Sequence, residues 1–181
     1  PPVNTDLPET SGTTRDGQTL TSTVGSWTGT PTISYDRQWQ RCDAAGDNCV
    51  DIAGETGTSY DLRPADVDGT IRVRVTGTNA GGSSDATSAA SAVIAPDPPV
   101  NTDLPVISGT VRDGQTLSST VGNWTGTPVI SYDRQWQRCD AAGDNCTDIA
   151  GETGATLDLT PADVDGTIRV RVTATNAGGD A

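Results

Sequence analysis

Four cysteines and 24 carboxylates carry the reactive chemistry open to this 181-residue chain, which contains no histidine, lysine, methionine or phenylalanine. Without histidine, the commonest acid–base group near neutral pH and the commonest imidazole metal ligand are both missing. Without lysine there is neither a Schiff base nor a lysine isopeptide crosslink. A carboxylate pair can hydrolyse a glycoside. Here, however, 21 of the 24 carboxylates are aspartates scattered through runs such as Arg15-Asp16-Gly17 and Asp66-Val67-Asp68-Gly69. Aspartate and glycine in such runs form and solvate turns. Neither a glycine-rich phosphate loop nor a nucleophile elbow is present. The sequence reads as a non-enzyme.

The cysteines fall in two pairs, Cys42 with Cys49 and Cys139 with Cys146, each spanning the same Asp-Ala-Ala-Gly-Asp-Asn hexapeptide. A redox pair ordinarily uses a two-residue gap, and zinc needs four soft ligands, here without histidine. Each pair instead brackets a turn between two expected strands, which suits a local disulfide. That implies an oxidising compartment outside the cytoplasm. Trp27 and Trp124 are expected in a loop, where an exposed indole makes a platform for a sugar. The competing expectation is that each caps the end of a core. Asp16, Asp66, Asp68, Asp97, Asn101 and Asp103 supply hard oxygen ligands and are the calcium candidates; otherwise they only keep the surface soluble. No other cofactor is expected.

These residues are positioned by a repeat. Pro1–Pro8 returns at 98–105, and residues 1–84 and 98–181 differ at 14 positions, leaving 70 of 84 identical. The expected organisation is a first domain over 1–95, a proline-rich linker over 96–99 and a second domain over 100–181. The linker prolines favour an extended path, so two units of about 35 Å would form a rod. Net charge is −13, which argues against nucleic acid. No apolar run approaches the ~20 residues of a membrane helix, and no signal peptide opens the chain. A start at Pro1-Pro2 reads as a mature fragment or an excised piece.

Within each copy the pattern is all-β, with turn signals every 8–12 residues. Ile71, Val73 and Val75 alternate with Arg72, Arg74 and Thr76, which implies one buried and one wet face. Ile168, Val170 and Val172 repeat the buried face. Ile33–Cys42 is a second strand, with Trp39, and its copy Trp136, directed at the core. Arg37 shares that parity, so either a bulge shifts the register or its stem lies along the core edge. Further strands are expected at 18–24, 50–52 and 58–62, with Gly25–Pro31 as a turn. A first strand lies within 3–12 and a last within 84–95, giving seven. The second copy stops where its last strand should begin. Two tandem antiparallel β-sandwiches of immunoglobulin size follow.

The run Tyr35–Trp39 with Gln-Arg-Cys, then Ile52-Ala53-Gly54, Tyr60-Asp61-Leu62 and Ala65–Val75, resembles bacterial immunoglobulin-like repeats. These occur in long secreted or surface-attached proteins of high-GC Gram-positive bacteria. The resemblance implies Trp39 and Trp136 as core tryptophans and Ala-Asp-x-Asp-Gly as the turn entering the penultimate strand. A tyrosine would be usual where this chain has Arg37 and Arg134. The functional expectation is a structural spacer or stalk of an extracellular fibre or adhesin, its partners being neighbouring copies of the repeat. Such copies could join end to end by strand donation. The alternative is an adhesion module for a surface glycan or protein receptor.

Overall fold

The computed structural model describes all 181 residues. It divides into two compact units, Pro1–Asp97 and Pro98–Ala181. In the first, β1 (Val3–Asp6) pairs with β4 (Ser26–Thr28) as a separate two-stranded ribbon. One sheet contains β2 (Thr10–Gly12), β3 (Thr19–Ser22) and β7 (Ser59–Asp61), in the order β2-β3-β7. The other contains β5 (Ser34–Cys42), β6 (Val50–Asp51), β8 (Thr70–Asn79) and β9 (Gly82–Thr87), in the order β6-β5-β8-β9. All these pairings are antiparallel. Seven principal strands in two facing sheets make each unit an immunoglobulin-like sandwich.

The alternation in the sequence is what closes the core. Ile71, Val73 and Val75 on β8 are completely buried, and Trp39 packs with them, opposite Val73 in register. Leu20, Ile52, Tyr60, Leu62 and Ile94 complete the cluster. The outward arginines meet polar partners across the sheet: Arg72 Nε donates to Gln40 Oε1 at 2.8 Å, and Arg74 Nη2 lies 3.1 Å from Asp51 Oδ2. Such exposed ladders contribute a few tenths to about 1 kcal/mol each. Pairing of β5 with β8 runs from Ser34 to Cys42 without a register shift. No bulge therefore accommodates Arg37, whose half-buried stem lies on the inward side with its Nε lacking a hydrogen-bond partner.

The second unit repeats this order. Its ribbon is β10 (Val100–Asp103) with β13 (Asn123–Thr125), and its smaller sheet is β11 (Ile107–Gly109), β12 (Thr116–Ser119) and β16 (Thr156–Asp158). The larger sheet is β14 (Ser131–Cys139), β15 (Thr147–Asp148), β17 (Thr167–Asn176) and β18 (Gly179–Asp180).

Three sequence expectations need correction. The stretch Gly25–Pro31 is not only a turn, because Ser26–Thr28 forms β4 and pairs with β1. The final strand of the first unit is regular only over Gly82–Thr87; from Ser88 to Ala95 it follows the sheet in an irregular register. In the second unit the last strand is not wholly absent. Gly179 and Asp180 pair with Asn176 and Thr175, and Ala181 exchanges two backbone bonds with Ala174. Ile168 and Val170 pack against the second unit's core cluster but, like Val172, are only half-buried, unlike their counterparts, because along the edge of β17 away from β14 the pairing reaches no further than Ala174.

Candidate functional site

The densest polar cluster is a buried corner around Asp66. A short 3-10 turn, Pro64–Asp66, carries the carboxylate beneath the entry to β8. Pro64 pre-sets the first turn position, and Asp66 closes it by accepting the Arg63 backbone N–H at 2.8 Å. The same Oδ2 accepts the Tyr60 hydroxyl at 2.8 Å. Oδ1 receives Arg41 Nε and Nη2, both at 2.6 Å. Four donors saturate the acceptor sites of one carboxylate. Tyr60 is pushed up to about 12, chiefly by burial and then by its bond to Asp66.

The second unit keeps a reduced form of this corner. Asp163 accepts the Thr160 N–H and hydroxyl, and Arg138. Leu157 replaces the tyrosine. Burial pushes the Asp163 carboxyl up, but the donors from Thr160 and Arg138 outweigh it and hold the group below the usual carboxylate range. Thr160-Pro161-Ala162-Asp163 has capping-box spacing, a sequence signal that marks Asp163 as structural and that Arg63 removes before Asp66.

The cysteines are where their spacing places them, with Cys42 bridged to Cys49 and Cys139 to Cys146. Asp43 organises the intervening turn. Its carboxylate accepts Asn48 Nδ2 at 2.7 Å and the backbone N–H groups of Asp47 and Ala45. The Asn48 bond, then that of Asp47, holds Asp43 below the ordinary range, and Asn145 with Asp144 does the same for Asp140. These turn bonds are present above the unfolded carboxylate pKa and are lost as pH falls through the lowered folded value. Reduction should cost each unit about 2.5 kcal/mol on the chain-entropy estimate. Titration of the native protein with a thiol reagent should find close to zero thiols. Four reactive thiols would refute the bridges.

Trp27 and Trp124 are not free loop platforms. Each lies on a short strand, β4 or β13, and is half-buried. Trp27 Nε1 donates to the Val24 carbonyl at 2.7 Å, and Trp124 Nε1 to that of Val121 at 2.8 Å. The Trp27 ring packs against Tyr35 and lies so close over Gly77 that an added Cβ would meet Trp27 Cε3 at 3.1 Å. Each indole is tied into its own sandwich.

Within the first unit the calcium candidates Asp16, Asp66, Asp68 and Asp97 lie in different surroundings. Asp66 is removed from that set by its four protein donors, which leave no lone pair for a cation. Asp16 is buried and Asp68 exposed, while Asp97 lies 3.9 Å from Arg15. In the second unit Asn101 donates to the Asp103 and Asn123 carbonyls, and Asp103 accepts from Asn123 Nδ2. No group of three or more His, Cys, Asp or Glu side chains is placed to hold a metal ion. No helix is long and apolar enough to cross a membrane. Adding EDTA should therefore leave the melting profile unshifted. A fall of several degrees that calcium reverses would reinstate a cation.

Three residues that the sequence placed only within a last strand, not singly, prove central to the first unit. Ser88, Ser91 and Ile94 seal its larger sheet, through hydroxyl-to-backbone bonds and one fully buried side chain. Their spacing of three differs from the period of two that marks a strand, so neither strand nor helix reasoning selects them.

No family model matches the sequence, and no curated protein matches it. Among solved structures, the titin domains z1z2 in complex with telethonin are similar at 16% identity, with a TM-score of 0.34, over 99% of this chain and 91% of that one. An I-band fragment of titin is similar at 15% identity and a TM-score of 0.29, over 100% of this chain and 62% of that one. The four N-terminal Ig domains of a Dscam1 isoform are similar at 12% identity and a TM-score of 0.31, over 92% of this chain. This chain spans 40% of the length of that last structure.

Proposed function

We propose that this chain is a non-catalytic structural spacer, a stalk segment of an extracellular or cell-surface fibre or adhesin of the bacterial immunoglobulin-like repeat type. One observation carries the reading. Two units, identical at 70 of 84 aligned positions, each pack around their own tryptophan and each hold their own hairpin disulfide. Repetition of a self-contained module sets length, not chemistry. The side chains that could have reacted are engaged in structure: Asp66 and Asp163 in buried corners, Asp43 and Asp140 in turns, and the cysteines in bridges. The disulfides suit an oxidising compartment, and the net charge of −13 suits a soluble, self-repelling surface. Its partners in this reading are further copies of the same unit.

The test is X-ray scattering from arrays of two, four and six units. The maximum dimension should rise in proportion to unit number. A dimension that levels off like that of a globule would overturn the spacer reading.

A further inference from the structure

Strand β5 is open on one side over Ser34–Gln38, and two residues in that stretch are charged and unpaired. β6 reaches only Gln40 and Arg41. Trp39 gives its N–H to the Glu55 carbonyl and its own carbonyl to Ile52 N–H. Strand alternation turns the backbone groups of Arg37 and Tyr35 to the same side as those of Trp39. No strand accompanies them there, so this flank, the one away from β8, is a free edge of the larger sheet. β14 repeats it over Ser131–Gln135 on the flank away from β17, since β15 reaches only Gln137 and Arg138. By contrast β2, β6 and β7 are two or three residues long, too short to template a partner strand.

Aspartate is disfavoured inside strands, and an inward arginine buries part of a cation. Both stand side by side on this edge. Asp36 is exposed on the outward row opposite Thr76, whose hydroxyl is given to Asp85. Arg37 is half-buried on the inward row opposite Val75, and its buried Nε meets no acceptor. Neither side chain is in an ion pair. Asp133 and Arg134 repeat the arrangement, including the unpartnered Nε.

Their effect falls on a strand approaching from outside. A second copy can lie antiparallel along all of Ser34–Gln38 in one register, centred on Asp36. Asp36 then stands directly opposite the other copy's Asp36, with Cβ atoms about 4.5–5.5 Å apart. Each Arg37 is shut under the joined sheet, with no carboxylate on the inward row of either strand to receive it. Ser131–Gln135 is identical to Ser34–Gln38, so pairing between unlike units meets the same two obstacles.

We infer that Asp36 with Arg37, and Asp133 with Arg134, close these edges to other copies of the repeat. An inward charge on an exposed edge strand is a defence against edge-to-edge pairing. The inference rests on the spacer reading only for the presence of neighbouring copies, which in an array meet at roughly millimolar effective concentration. The guarded surface thus excludes the partner it meets most often.

The experiment compares full 181-residue chains by hydrogen exchange and by weight-average mass at rising concentration in the ultracentrifuge. The unaltered chain should stay monomeric at about 100 μM. A quadruple variant, Asp36→Thr, Arg37→Val, Asp133→Thr and Arg134→Val, should self-associate at least about tenfold more tightly. New exchange protection should appear at residues 35 and 37 or at 132 and 134. The charge-retaining set Asp36→Glu, Arg37→Lys, Asp133→Glu and Arg134→Lys should stay monomeric. Asp36→Thr with Asp133→Thr alters exposed residues only and should tighten association about threefold; it carries the test if the quadruple variant does not fold. A folded quadruple variant as monomeric as the unaltered chain would overturn the inference, as would an aspartate-only variant with unchanged association. So would pairing of the unaltered or charge-retaining chain through these edges, or association of the quadruple variant without the new protection. The scattering measurement on arrays does not depend on these outcomes, so failure of the edge guard and failure of the spacer reading are separately visible.

Discussion

Replacing Asp66 by alanine is expected to destabilise the first unit by about 3–5 kcal/mol, the range for breaking a buried, hydrogen-bonded ion pair. The carboxylate is fully buried and holds Arg41, the Tyr60 hydroxyl and the Arg63 N–H together. Removing it leaves a hydroxyl and a guanidinium without their acceptor beneath the entry to β8. In calorimetry the transition of the first unit should fall by at least about 12 °C. The matching Asp163→Ala change should cost less, because Leu157 asks nothing of a side chain that is 5% exposed, against 0% for Asp66. Tyr60 adds a pH signature. Its folded value is raised to about 12 from an ordinary 10.0, so the neutral phenol is the stabilised form. Its contribution is complete below the unfolded value and is lost as pH rises through the folded one. The first unit should therefore weaken between about pH 10 and 12, and Tyr60→Phe should flatten that loss. An Asp66→Ala variant melting with the wild type would show that the corner is ornamental.

Trp39→Ala should cost the first unit about 3–5 kcal/mol, as for other large core aromatics. Trp39 has no exposed surface, stacks near Tyr60 at 5.8 Å between centroids, and donates its Nε1 to the Gly57 carbonyl at 3.0 Å. Trp136 has the same burial and donates to the Gly154 carbonyl at 2.9 Å. The decisive feature is confinement of the damage. Each substitution should lower only the transition of its own unit, because each core is closed by that unit's own residues. In the unaltered chain the second unit should melt first. Its buried cluster is Leu117, Trp136, Leu157 and Leu159, whereas the first unit adds Ile52, Ile71, Val73, Val75 and Ile94 to the equivalent residues. Loss of both transitions in either variant would contradict autonomous units.

Much of the architecture is legible in the residues because it rests on local alternation. Ile71, Val73 and Val75 against Arg72 and Arg74 declare a half-buried strand, and the spacing of Cys42 and Cys49 declares a hairpin. The ribbon at Ser26–Thr28 was not legible, since Gly25 before it and Gly29 and Pro31 after it mask a three-residue strand whose partners lie 20 to 25 residues away. The role of Asp66 was hidden for a different reason. Aspartate beside glycine reads as a solvated turn, and only the fold brings Arg41 and Tyr60 around it. Ser88, Ser91 and Ile94 follow a register imposed by β8, so their periodicity matches no regular element. Trp27, expected in a loop, left a sugar platform and a core cap both open, and its ring covers Gly77.

The most direct test of the spacer reading is single-molecule extension of an array of these units under force. The account predicts one discrete unfolding event per unit, each releasing about 25 nm of chain. Reduction of the hairpin disulfide should lengthen each release by about 2.5 nm, the chain otherwise locked between Cys42 and Cys49 or Cys139 and Cys146. Smooth extension without discrete events, or one merged event for several units, would contradict it.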